Sequence, residues 1–211
     1  LFGGLSTPYI YDLDGDNKVD WIYAGDLQGN VWKFDVSDSS PASWTVKLLF
    51  TATDSTGKRQ PITSSPIVIP HPKGGVMVLF GTGKYLGPTD ITSTTGGVVT
   101  DPQTYYGIWD QEQWVRKTDG SWDKTTAGTT AAFSSVPFPT TCRSQNGSCV
   151  VKTQAFTNTV TVSGNTYRTS SQNMICWQGA TCTDPANANA TRTGTARGWY
   201  IDLPGLVTNS S

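Results

Sequence analysis

An all-β fold, part of a modified β-propeller of antiparallel blades with long loop insertions, is the architecture this sequence predicts. Three observations point to it. Only 15% of the 211 residues are charged, with 22 glycines, 8 tryptophans and 8 tyrosines and an abundance of Thr and Ser. An average soluble domain carries about 25% charge, and a Gly-, Thr- and aromatic-rich chain suits strands and turns better than helices. Two stretches also share one layout. Ser6-Thr-Pro-Tyr-Ile-Tyr11, an acidic loop and Trp21-Ile-Tyr-Ala-Gly25 match Ser64-Ser-Pro-Ile-Val-Ile69, a Pro/Lys/Gly turn and Val76-Met-Val-Leu-Phe-Gly81. Finally, an aromatic strand recurs as Gly29-Asn-Val-Trp-Lys-Phe-Asp35, Tyr106-Gly-Ile-Trp-Asp110 and Gly198-Trp-Tyr-Ile-Asp202.

Each element follows from local chemistry. Pro8 and Pro66 fall at strand starts, where a missing N–H does least harm. Gln28-Gly29-Asn30 supplies a tight turn between Ala24 and Trp32. Apolar and polar residues alternate through Asn30–Asp35, which requires one buried face. The spacing of the two units somewhat exceeds the usual blade period, and the whole reads as about three four-stranded blades. A β-sandwich is the competing architecture. No segment shows a sustained helical period with caps. Thr92–Thr100, Thr125–Ser135 and Thr183–Ala196 are polar and rich in small residues, and read as long surface loops.

The four cysteines, Cys142, Cys149, Cys176 and Cys182, are spaced C-x6-C and C-x5-C. An even count among Ser/Thr/Asn-rich loops implies two disulfides in an oxidising compartment. The local pairing, Cys142–Cys149 with Cys176–Cys182, closes the shortest loops at least entropic cost. The spacings are not those of C-x2-C zinc sites.

The strongest chemical signal is Asp12-Leu-Asp-Gly-Asp-Asn-Lys-Val-Asp20, with carboxylates at positions 1, 3, 5 and 9. Calcium seeks six to eight oxygens at about 2.3–2.6 Å. Alternate side chains of a curled loop point inward, so Asp12, Asp14 and Asp16 converge, Lys18 offers its carbonyl, and Asp20 closes the cage. Helix-flanked loops have Gly at position 6 and Glu at position 12. Here those positions are Asn17, tolerant of left-handed φ, and Tyr23, so this is a β-hairpin version of the loop. Ca²⁺ is the expected cofactor. Magnesium, which demands a tighter octahedron and retains water, fits less well. Asp26 stands outside the cage as a conceivable outer partner.

Other features exclude functions. A net charge of −1 offers no basic field for nucleic acid or anionic lipid. No apolar run reaches the ~18 residues of a membrane span. His71 is the only histidine, which removes His-based triads and sites needing two His ligands. Glu112 is the only glutamate, and no acidic pair outside the loop has acid/base spacing. Gly81-Thr-Gly-Lys-Tyr-Leu-Gly87 matches no nucleotide-binding spacing and reads as a turn. Trp109 and Trp114 read as packing residues rather than a carbohydrate platform. The chain opens on Leu1 without a signal-peptide pattern, as an internal piece of a longer chain would.

Taken together, Gly4-Leu-Ser-Thr-Pro-Tyr-Ile-Tyr-Asp-Leu-Asp-Gly-Asp16, Tyr23-Ala-Gly-Asp-Leu-Gln-Gly-Asn-Val-Trp-Lys-Phe-Asp35, Phe80-Gly-Thr-Gly-Lys-Tyr-Leu-Gly87 and Tyr106-Gly-Ile-Trp-Asp110 resemble the C-terminal propeller domain of the PilY/PilC family, the type IV pilus-associated biogenesis factors and adhesins. The resemblance is discontinuous over most of the chain; 115–196 match mainly by position. It implies that 1–211 form part of a single C-terminal propeller domain in which 115–196 are a loop-rich insertion with two disulfides. It implies a secreted protein at the pilus tip or bacterial surface, partnered by pilins or minor pilins and in some members by host-cell receptors. Members promote pilus extension by opposing retraction under calcium control, supporting twitching motility and adhesion. The family's metal ligands fall on Asp12, Asp14, Asp16, Lys18 and Asp20, and no catalytic residue is implied. The Arg-Gly-Asp of some members is absent, since Trp199 follows Arg197-Gly198. Two other functions compete: a host-cell or glycan-binding adhesin with purely structural calcium, and a quinone-dependent dehydrogenase. The dehydrogenase shares the propeller shape alone, and its adjacent Cys-Cys pair is missing.

Overall fold

Strand propensity and punctuating glycines yield antiparallel meanders. The structure, a computed structural model, describes residues 4–84, 86–87, 90, 102–116, 118, 122–126, 150–184 and 187–203. Tyr9–Tyr11 (β1), Trp21–Gly25 (β2), Asn30–Asp35 (β3) and Thr45–Thr51 (β4) form the first sheet, in chain order. All its pairings are antiparallel, with Ala24 opposite Trp32 as the Gln28-Gly29-Asn30 turn requires. Gly29 adopts φ +79°, and a Cβ there would lie 2.7 Å from the Gln60 carbonyl oxygen. Only glycine meets both demands. A 3₁₀ turn, Pro41–Ser43, leads into β4.

Ile67–Pro70 (β5), Val76–Gly81 (β6) and Thr104–Asp110 (β7) begin a second sheet in the same manner. The chain then departs. Glu112–Arg116 (β8) pairs with Trp122–Thr126 (β9), and Val150–Gln154 (β10) follows. Phe156–Val162 (β11) pairs with Asn165–Ser170 (β12), and Thr181–Asp184 (β13) with Asn187–Thr193 (β14). Ala196–Asp202 (β15) returns to pair antiparallel with β7, and β10 joins β15 in parallel, giving the order β10-β15-β7-β6-β5.

Gly198–Asp202 is thus the fourth strand of the second sheet, counted from β5. An insertion that separates neighbouring strands hides their pairing from any sequence period. Thr183–Ala196 is a hairpin running into β15 rather than a surface loop, its polar residues paired between β13 and β14. Thr92–Thr100 and the part of Thr125–Ser135 beyond Thr126 lie outside the described residues, as do Cys142 and Cys149. The Cys176–Cys182 disulfide is formed.

The core lies between the sheets. Trp21, Tyr23, Val31 and Phe50 of the first meet Val78, Phe80, Tyr106 and Ile108 of the second, with Phe50 and Tyr106 rings 5.3 Å apart. The buried face of β3 is Val31, Lys33 and Asp35, whereas Trp32 and Phe34 are half-buried. A buried lysine requires compensation, and Lys33 has it from across the seam. Its Nζ lies 2.7 Å from Asp110 Oδ2 and 2.6 Å from Glu112 Oε2, and 3.4 Å from the centre of the Trp21 ring. The Tyr23 hydroxyl donates to Asp110 Oδ2 at 2.7 Å, and Lys47 reaches Glu112 Oε1 at 3.1 Å. Asp110 ends β7 and Glu112 opens β8, so the root of the insertion is anchored to the first sheet.

The opposite face of the second sheet carries an aromatic cluster. Trp109 is fully buried, in keeping with a packing role; the side chain of Trp114 lies outside the described set. His71 stacks on Trp109 at 4.3 Å and meets Trp177 edge-on at 4.6 Å. Its Nδ1 accepts the Lys73 N–H at 3.2 Å. Burial, aided by the charge of Lys73, lowers the His71 pKa below the ordinary 6.5. As pH falls, the unfolded chain therefore binds this proton first. The stability supplied by the neutral ring is complete above 6.5 and is lost as pH falls from there toward the lowered folded value. Urea midpoints measured between pH 7.5 and 5.5 should fall in the wild type and stay flatter in His71→Phe.

Candidate metal centre

The acidic loop joins β1 to β2, and pairing of those strands fixes its ends: Tyr11 faces Trp21, and the Asp20 N–H donates to the Tyr11 carbonyl at 3.0 Å. Within the loop, Asp12 organises the turn. Its Oδ1 accepts the Gly15 N–H at 2.7 Å and its Oδ2 the Asn17 N–H at 2.8 Å. Gly15 and Asn17 take φ of +79° and +66°, the left-handed conformation that Gly and Asn accept at least cost. Asp14 Oδ1 accepts the Asp16 N–H at 3.1 Å. From the far end, Asp20 Oδ2 takes the Leu13 N–H at 2.7 Å.

This curl brings Asp12, Asp14 and Asp20 together, with one oxygen from each within 4.8 Å of the others. Two oxygens that share one ion about 2.4 Å away stand no more than about 4.8 Å apart, a condition these three meet. The donors are hard carboxylate oxygens, the set calcium prefers. Asp20 is buried. That burial pushes its carboxyl pKa up, the Leu13 N–H opposes the rise, and the charges of Asp14, Asp12 and Asp16 add to it. A cation placed among them would reverse this balance.

Two other predicted ligands are arranged differently. The Asp16 carboxylate is exposed and turned to Lys18, accepting its N–H on Oδ1 at 2.8 Å and pairing with its ammonium through Oδ2. The hydrogen bonds from Lys18 hold the Asp16 pKa below the usual carboxylate value. Lys18 itself points its side chain into solvent, away from the cluster. Asp26 has a separate structural task. Its Oδ1 accepts the N–H groups of Gln28 and Asn30, and its Oδ2 accepts from Asn30 Nδ2 and Trp32 Nε1. The Asp-x-x-Gly-Asn-x-Trp spacing therefore encodes a self-capped hairpin turn. The Lys33 network was not predicted as a unit; only the polar position of Lys33 in an otherwise buried strand hinted at it.

Two mainly antiparallel sheets packed face to face, the first bearing an acidic loop on its opening hairpin, define a β-propeller-type module with a candidate cation site. The chain belongs to the PilY1 family: residues 1–133 match the family model for the PilY1 beta-propeller domain. It is similar to the type IV pilus biogenesis factor PilY1 of Pseudomonas aeruginosa strain PAK, 38% identical over 130 residues, covering 52% of this chain and 11% of that protein. Against PilY1 of strain UCBPP-PA14 identity is 31% over 228 residues, covering 96% of this chain and 17% of the relative. A PilY1 homolog of Xylella fastidiosa is 37% identical over 118 residues, covering 52% and 8%. The chain thus spans less than a fifth of the length of these relatives. The crystal structure of the Pseudomonas aeruginosa PilY1 C-terminal domain superposes with a TM-score of 0.62 at 30% identity, covering 99% of this chain and 40% of that one. Among the described residues no helix is long and apolar enough to cross a membrane.

Proposed function

We propose that this chain is a non-catalytic module of a type IV pilus biogenesis factor whose acidic hairpin loop binds Ca²⁺. The convergence of Asp12, Asp14 and Asp20 within 4.8 Å, in a member of the PilY1 propeller family, carries the reading. On this reading Asp16 exchanges Lys18 for the ion, the Lys18 carbonyl adds a neutral oxygen, and water completes the shell. The ion cancels repulsion among the carboxylates and stiffens the β1–β2 hairpin, whose Trp21 lies against Lys33 at the seam. A defined surface is then presented to pilins or minor pilins at the pilus tip on the bacterial exterior. Pilus extension is favoured over retraction while the loop is loaded, supporting twitching motility and adhesion.

The test is genetic. Asp20→Asn in the natural full-length protein should reduce surface pili and twitching while leaving the amount of protein unchanged. Normal piliation and motility in that strain, with calcium affinity shown to be lost, would overturn the proposed role.

A further inference from the structure

Lys33, Asp110 and Glu112 meet in a site that is almost dry: they are 2%, 5% and 1% exposed. The Lys33 Nζ lies 2.7 Å from Asp110 Oδ2 and 2.6 Å from Glu112 Oε2. Trp21 and Tyr23, both fully buried, wall the site, with Nζ 3.4 Å from the centre of the Trp21 ring. An amine held against a carboxyl is the reactant pair of an amide. Holding two groups in aligned contact is equivalent to effective concentrations of about 10⁵–10⁸ M. Exclusion of water protects such a reaction from its hydrolytic reverse.

The two carboxyls are held differently. Both oxygens of Asp110 accept further donors: Oδ1 takes the Glu112 backbone N–H at 3.1 Å, and Oδ2 takes the Tyr23 hydroxyl at 2.7 Å. Donors placed on these oxygens stabilise the oxyanion that forms when a nucleophile adds to the carbon between them. Glu112 divides its oxygens between two cations, Oε2 on Lys33 and Oε1 on Lys47 at 3.1 Å. Contact with the reacting nitrogen suits it to carry protons.

We propose that Lys33 and Asp110 condense to an intramolecular amide, with Glu112 as the proton carrier. Glu112 Oε2 takes one proton from the Lys33 ammonium and passes it to Asp110 Oδ2, leaving a neutral amine and a neutral acid. The Nζ lone pair then attacks Cγ, and the carbonyl π pair moves onto Oδ1, where the Glu112 N–H receives it. A second Nζ proton travels through Glu112 to Oδ2. Oδ2 departs as water with the electron pair of its bond to Cγ, and the Oδ1 carbonyl re-forms. Lys33 loses two protons, Asp110 loses one oxygen, and Glu112 is returned unchanged, so the step needs no oxidant or co-reactant. Lys33 lies in β3 of the first sheet and Asp110 at the end of β7 in the second, 77 residues apart in the chain. The amide therefore ties the two sheets covalently across the seam. The ion group is its reactant state, and the link accumulates after folding.

The experiment uses the full natural chain. Protein sampled at purification and through a long incubation is denatured, reduced, digested with trypsin and read by mass spectrometry. A branched peptide joining the segments that hold Lys33 and Asp110, lighter than their sum by one water, should appear and grow with time. Glu112→Gln should slow that growth roughly 100-fold or more, as for loss of a general acid–base group, and Asp110→Ala should abolish it. Wild-type protein that stays free of the branched peptide overturns the proposal, a result that requires no variant to fold. A branch through Glu112 in place of Asp110 overturns it equally. Glu112→Gln protein that links at the wild-type rate overturns the role given to Glu112.

Discussion

Lys33→Met should cost about 3–5 kcal/mol of folding stability, the usual price of leaving a buried carboxylate without its partner. The side chain is replaced by one of similar length, so packing is nearly conserved and the effect is electrostatic. Without the ammonium, Asp110 and Glu112 face each other at the seam, both buried. Asp110 retains the Tyr23 hydroxyl and the nearby charge of Arg197, and Glu112 retains the half-exposed Lys47, but none of these replaces an ammonium in contact with both carboxylates. Two observations would check the cause. Urea unfolding should show the lowered midpoint, and adding Asp110→Asn with Glu112→Gln should recover most of the loss. Replacing a whole buried charge cluster by neutral groups is often close to neutral, whereas removing one member is not. A Lys33→Met protein as stable as the wild type would show that the seam does not depend on this ion group.

The second large effect concerns the loop. In the absence of metal, Asp20→Asn should leave stability unchanged or raise it slightly. The substitution removes a negative charge beside Asp12 and Asp14, and its amide oxygen can still accept the Leu13 N–H. With calcium the order should invert. A ligand present at a hundred times its dissociation constant stabilises the folded state by about 2.7 kcal/mol, and only the wild type should show the corresponding rise in melting temperature. A variant that merely damaged the fold would be weaker under both conditions, so the two arms separate a ligand role from a structural one.

Much of this was legible from the residues because the signals are local. The β2–β3 hairpin follows from Gly29 and its neighbours, and the β5–β6 hairpin from Pro66 and the turn ending in Gly75. The acidic loop declares itself by carboxylate spacing, and its left-handed Asn17 by the tolerance of asparagine. What escaped is non-local. Lys33 finds its partners 77 and 79 residues away, so nothing near it in sequence distinguishes a buried ion from a solvated one. β15 pairs with β7 across an insertion that breaks any blade period. Asp26 looked like a spare carboxylate until its four donors were in view. Asp16 shows the converse limit: spacing places it in the cage, but a neighbouring ammonium captures it when no cation competes.

Calorimetric titration with Ca²⁺, with the wild-type protein run beside Asp20→Asn in chelator-stripped buffer, decides whether the acidic loop holds the ion. One ion should bind per wild-type chain, with heat from the variant no greater than dilution. A wild-type chain that gives no binding heat and no rise in melting temperature in millimolar calcium would contradict it.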